Sequence, residues 1–259
     1  MEEWVEETAM LSYVQSGLFV IAAMGMSILI VAALNRAWPI SSRKLVNDVT
    51  GWQLGILGTT YGVILGFMLY TVWTDFRAAE VNANLEASSL LTVSRVGAGL
   101  PSPERETIHA LGLKYAEATI HEDWPAMETQ QNSQASQRVA GEMWKVLAEM
   151  KSGTNQNSSA DHLENALKDL SERRNLREEE FHERLPKILW LLLVAGAGTT
   201  VGSSCLLGND NKWLHYCQVL ALTFVVSVTL AAIADLARPF EGGVSVTPIA
   251  FERAMRLMQ

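Results

Sequence analysis

Four uncharged runs, residues 17–34, 54–73, 188–207 and 214–234, come close to or reach the ~20 residues that a helix needs to cross a hydrocarbon core. They constrain the chain to an all-α integral membrane protein with four transmembrane helices. Inside lipid each backbone polar group must find its partner within the segment, and helices do this. Aromatic placement agrees. Trp38, Trp52, Trp73, Trp190 and Trp213, with Tyr13 and Tyr216, sit at run ends, the level where amphipathic rings meet headgroups. The overall composition, 49% hydrophobic and 19% charged, resembles that of a soluble protein and hides this pattern. The first run does not read as a cleaved leader, because Glu2, Glu3, Glu6 and Glu7 stand where a signal peptide carries positive charge.

The second run organises the rest. Within GWQLGILGTTYGVILGFMLYTVW, Gly58, Gly62 and Gly66 recur every fourth residue and form one small-residue face, which lets helix backbones approach closely in lipid. No glycine or proline falls between Phe67 and Val96, so the helix is expected to leave the membrane unbroken. At 1.5 Å per residue, residues 51–96 make a rigid lever about 70 Å long. Its soluble half carries a stripe of Phe76, Ala79, Ala83, Ala87 and Leu90, suited to packing against the helix of Leu163, Leu167, Leu170 and Phe181.

Five segments follow from this pattern: an acidic N-terminal tail, 1–11; the first two membrane helices, 12–74; a helical cytoplasmic domain, 75–185; the last two membrane helices, 186–237; and a C-terminal tail, 238–259. The strongest break is GAGLPSP at 97–103, with Ser102 and Pro103 opening a new helix striped by Ile108, Leu111 and Tyr115. That helix is expected to end near Trp124 and Pro125. A second stripe holds Val139, Met143, Val146 and Met150, and residues 152–159 read as a polar link. After Asp235, the residues Pro239, Phe240 and Gly242 form a turn that ends the last membrane helix.

Charge sets orientation and excludes some partners. Arg77, Arg173, Arg174, Arg177, Arg184, Lys187, Arg238, Arg253 and Arg256 lie on the side of the termini and central domain. Arg36, Arg43, Lys44 and Lys212 lie on the other. The excess places termini and central domain in the cytoplasm, with the helices in a bacterial inner membrane. A net charge of -8 without a basic run argues against nucleic acid as a partner. Cys205 and Cys217, too few for a disulfide framework and without zinc spacing, fall at similar depth on the last two helices. They are either a bonded pair or two buried thiols.

The ordered stretches FMLYTVWTDFRAAEVNANLEASSL, YAEATIHEDWP, LPKILWLLLVAGAG and ARPFEGGVSVTP resemble the bestrophin-like membrane family, over residues 54–248 or so. That family is a distant relative of the bestrophin anion channels. The resemblance implies a homo-oligomer, a pentamer by analogy, in which the second membrane helix lines a pore for small anions. The acidic calcium clasp of animal bestrophins has no counterpart here, so calcium gating is not implied. The other reading is a non-conducting, membrane-anchored helical scaffold or signalling module.

Each candidate site has a structural alternative. Gly58, Gly62 and Gly66, with the hydroxyls of Thr59 and Thr60, either line the path or pack helices together. Thr199, Thr200, Ser203 and Ser204 either face water or bond their own helix backbone. Asp235 and Arg238 are spaced as a helical pair at the membrane edge. His121, Glu122 and Asp123 have no metal-ligand spacing and read as a solvated face, as do Glu178, Glu179 and Glu180. No nucleophile motif, cofactor motif or metal set stands out, which speaks against an enzyme.

Overall fold

The computed structural model describes the backbone of residues 2–152 and 158–259, and side chains from residue 13 onward within those ranges. The expected polar link at 152–159 falls mostly outside them. Every regular element described is a helix: α1 (Glu2–Ala37), α2 (Ile40–Lys44), α3 (Asn47–Gly97), α4 (Glu104–Ala118), α5 (Trp124–Glu128), α6 (Ala135–Ser152), α7 (Ser158–His182), α8 (Lys187–Cys205), α9 (Lys212–Leu236) and α10 (Ile249–Met258). Residues 2–11 continue α1 and do not form a separate tail. Among the described residues, four helices are long and apolar enough to cross a membrane: the Tyr13–Ala37 part of α1, then α3, α8 and α9.

The chain divides into two compact units, residues 1–74 with 184–237, and residues 75–183 with 238–259. Helix α3 runs through the boundary without a break, as its freedom from glycine and proline between residues 67 and 96 predicts. The C-terminal segment is a packed part of the second unit, where a tail was expected. Amphipathic α10 buries Phe251, Ala254 and Met258.

In the first unit the core gathers Tyr61, Leu65 and Val72 of α3 with Leu193 of α8 and Val226, Leu230 and Ile233 of α9. Tyr61 donates its hydroxyl to the Leu193 carbonyl at 2.8 Å. A Cβ built on Gly196 would stand 2.5 Å from the Tyr61 ring, so that position requires glycine. The connection between α1 and α3 contains the short helix α2. Arg43 of α2 is fully buried and donates to Asn35 Oδ1 and, at 3.4 and 3.5 Å, to the carbonyls of Cys205 and Leu207. It thereby satisfies acceptors left open at the C-terminus of α8. Asn47 bonds both the N–H and the carbonyl of Gly208, at 2.9 and 2.7 Å.

In the second unit, Trp124 and Pro125 do not end a helix. The chain passes from α4 through a π-helical turn, Thr119–Asp123, into α5, and proline is tolerated there as the first-turn residue. Trp124 is pinned by Phe240 and Phe251, with ring centroids 5.8 and 5.6 Å away, and its Nε1 donates to Val246 O at 2.9 Å.

Candidate functional site

Helix α3 presents two contrasting faces in its membrane-crossing half. Tyr61, Leu65 and Val72 face α8 and α9 and are buried. About a quarter turn away lie Gly51, Gly55, Gly58, Gly62 and Gly66, and a Cβ built on any of them meets nothing within 4 Å among the described residues. The contrast with Gly196, whose Cβ would overlap a tyrosine ring, distinguishes a glycine needed by the fold of the unit from five that the unit does not use. Thr59 is exposed and returns its hydroxyl to Gly55 O at 2.8 Å. The row spans roughly 22 Å of helix, most of the ~30 Å hydrocarbon depth.

The hydroxyls of α8 serve their own helix where their bonds are seen. Thr199 donates to Ala195 O at 2.7 Å and Ser204 to Val201 O at 2.7 Å. The two cysteines are free thiols and not a bonded pair, but only Cys205 is buried, Cys217 being exposed. Asp235 is half-buried in the last turn of α9. Arg238 is exposed and reaches Glu241 at 3.5 Å. The turn after it is closed by the Val246 N–H donating to Pro239 O at 2.7 Å, with Gly242 at φ 82° and Phe240 inserted into the core of the second unit.

The second unit holds a buried polar network. Glu86 of α3 is fully buried, and Arg177 of α7 donates to it from Nε at 2.7 Å and Nη2 at 3.2 Å. Tyr115 of α4 donates its hydroxyl to Glu86 at 2.7 Å. Arg177 also lies 3.4 Å from Asp123, which accepts from Ser136 and from the N–H of Ala135, and its guanidinium sits 5.4 Å from the Trp124 ring. Burial opposes the charge of Arg177, but Glu86 and Asp123 hold the guanidinium charged to a pH well above its ordinary range. Burial, reinforced by the Glu86 carboxylate, pushes the Tyr115 phenol well up. Asp123, expected on a solvated face, is therefore an interior carboxylate. Glu180 is half-buried, accepts from Asn82 at 2.5 Å, and has its pKa raised by burial and then by Glu183 and Glu179.

The helical stripes already contained this network. Glu86 falls three residues after Ala83 and four before Leu90, and Arg174 and Arg177 fall between Leu170 and Phe181 at core spacing. Charges on a core stripe are the signal for a buried pair. The π-helical turn gave no such signal, and it is what carries Asp123 inward.

The Bestrophin-like domain family model matches residues 19–251. No curated protein matches the chain. Among solved structures, it is similar to variants of a bacterial bestrophin homologue from Klebsiella pneumoniae. One has a TM-score of 0.73 at 11% identity, covering 92% of this chain and 98% of that one. Another has a TM-score of 0.70 at 13% identity, covering 93% and 96%. A structure described only as a membrane protein variant gives 0.70 at 11% identity over 94% and 97%. At such identities the structural likeness shows the fold alone, and it is the match over residues 19–251 that makes this chain a member of the Bestrophin-like family.

Proposed function

We propose that the protein is a homo-oligomeric ion channel in which copies of α3 surround a conducting path lined by the glycine face. One observation carries this reading: five glycines on one face of a membrane helix meet nothing among the described residues, while the adjoining face is packed. Lipid offers helices no hydrophobic drive to associate, so a glycine row gains its advantage where backbones approach one another or where a path needs width. Family membership adds a precedent, since bestrophins are channels. By the same precedent the oligomer is a pentamer and the ions are small anions. The acidic balance of the chain, -8, acts against anions at the mouths of the path, so selectivity must arise inside it.

Termini and second unit face the cytoplasm of a bacterial inner membrane in this reading. Alkaline phosphatase fused after Gln259 is then inactive in intact cells, and strong activity reverses the orientation. The channel is tested by reconstituting purified protein in planar bilayers under a potassium chloride gradient. Reproducible single-channel steps reversing toward the chloride potential support it. Their absence favours a non-conducting scaffold, and reversal toward the potassium potential makes it a cation channel.

A further inference from the structure

The second unit contains a cavity of about 110 Å³ that neither the glycine face nor the family assignment explains. Asp123, Met127, Arg177 and Phe181, all buried, belong to its lining, together with Glu178 and the polar side chains of the 131–137 stretch. On the measure by which one water occupies ~10–15 Å³, this is room for a solute of about seven to eleven non-hydrogen atoms.

We propose that the cavity binds a small zwitterion, a molecule with a carboxylate and an ammonium a few bonds apart in the manner of a free α-amino acid. The argument begins with Arg177. Its Nε and Nη2 are engaged by oxygens of Glu86, Asp123 and Ser136, whereas Nη1 meets Met127 Sδ at 3.6 Å, a thioether and a weak acceptor. A ligand carboxylate at Nη1 exchanges that contact for a charge-assisted hydrogen bond. The complementary group is Glu178, partly exposed and only loosely paired with Arg174 at 3.6 Å. It is free to take an ammonium, while Asp123 already accepts from Ala135, Ser136 and Arg177.

Charge then selects among ligand classes. A simple anion is repelled by Asp123 and Glu178, and a simple cation leaves Arg177 Nη1, whose contact is the Met127 thioether, without an oxygen acceptor. A molecule carrying both charges is matched at each end. Gln131, Asn132, Gln134 and Gln137 supply neutral donors and acceptors around it, and Met127 and Phe181 accommodate a small apolar group.

The backbone is irregular around the same cavity. The π-helical turn ends at Asp123, and Gln130, just before the lining stretch, has φ 60°, a left-handed conformation uncommon outside glycine. Such departures gather at ligand sites, where they place side chains that regular structure would not.

The test uses the full-length protein in detergent, titrated calorimetrically with glycine, L-alanine and L-glutamine, and with acetate and methylammonium as the two separate halves. At least one amino acid should bind saturably and at least tenfold more tightly than either half. Glu178→Gln should weaken it fivefold or more, and Ser133→Trp, which fills the cavity, should abolish it, with oligomer size and melting temperature checked for both. Should Ser133→Trp fail to assemble, Gln137→Leu takes its place, with a weakening of fivefold or more expected. Lack of saturable binding by all three amino acids overturns the proposal. So does binding no tighter than that of a half, or binding that Glu178→Gln and the cavity variant leave unchanged. None of these readouts depends on conduction.

Discussion

Arg177 of α7 grips Glu86 of α3 through two nitrogens, Nε to Oε2 at 2.7 Å and Nη2 to Oε1 at 3.2 Å, and both side chains are buried. Leaving one of two buried charges without its partner costs about 3–5 kcal/mol, far more than the pair itself contributes over an apolar replacement. Arg177→Met should therefore lower the melting temperature strongly, and the double variant Glu86→Leu, Arg177→Met should recover much of the loss. A single variant that melts like the wild type would show that the pair is open to water.

Much of this was legible in the residues. The unbroken span of α3 follows from the absence of breakers between Phe67 and Val96, and the buried alanine face from the spacing of Ala79, Ala83 and Ala87. The glycine row was visible, but its environment was not, because spacing identifies a face without saying what covers it. Pro125 misled: a proline one residue into a new helix costs nothing, and only the three-dimensional path shows that the chain re-enters helix there. The packing of the C-terminal segment leaves no local signal, because the burial of Phe240 and Phe251 against Trp124 is a contact between distant positions.

Glycines on the membrane helices should respond oppositely to one added methyl. Gly196→Ala drives a Cβ to 2.5 Å from the Tyr61 ring and should destabilise the first unit by about 1–3 kcal/mol through overpacking. Gly62→Ala meets nothing among the described residues and should leave the thermal stability of dissociated protomers unchanged. Differential scanning fluorimetry in a dissociating detergent compares them. Equal losses would mean that the glycine face is packed within the protomer.

Arg43 should matter for stability more than its place in a connecting segment suggests. Arg43→Met leaves the carbonyls of Cys205 and Leu207 and the side chain of Asn35 without their charged donor, a loss of roughly 1.5–3 kcal/mol. Lys44, exposed and paired to Asp210, should tolerate Met with a change under about 1 kcal/mol. Thermal unfolding of the two variants side by side tests the ranking, and a larger loss at Lys44 reverses it.

Glu180 supplies a pH signature. Burial raises its pKa from the ordinary 4.5, so the folded state holds its proton more tightly than the unfolded chain does. Its contribution to stability is then fully present below pH 4.5 and is lost as the pH rises through the raised value. Glu180→Gln keeps an acceptor for Asn82 and removes the charge. It should stabilise the protein by about 0.5 kcal/mol at pH 7 after solvent screening, with the gain shrinking toward zero at pH 4. Melting curves at the two pH values decide, and a gain of equal size at both would assign the effect to something other than ionisation.

The proposed conducting path is tested most directly by thiol modification along α3. In a Cys205→Ser, Cys217→Ser background, Gly62→Cys and Val63→Cys are reconstituted separately and exposed to a negatively charged methanethiosulfonate during bilayer recording. Both positions are exposed in the single chain, but only Gly62 lies on the glycine face. The account predicts that single-channel current through Gly62→Cys falls stepwise as thiols react, while Val63→Cys conducts unchanged. Current through Gly62→Cys that persists unaltered, while Val63→Cys is blocked, would contradict it.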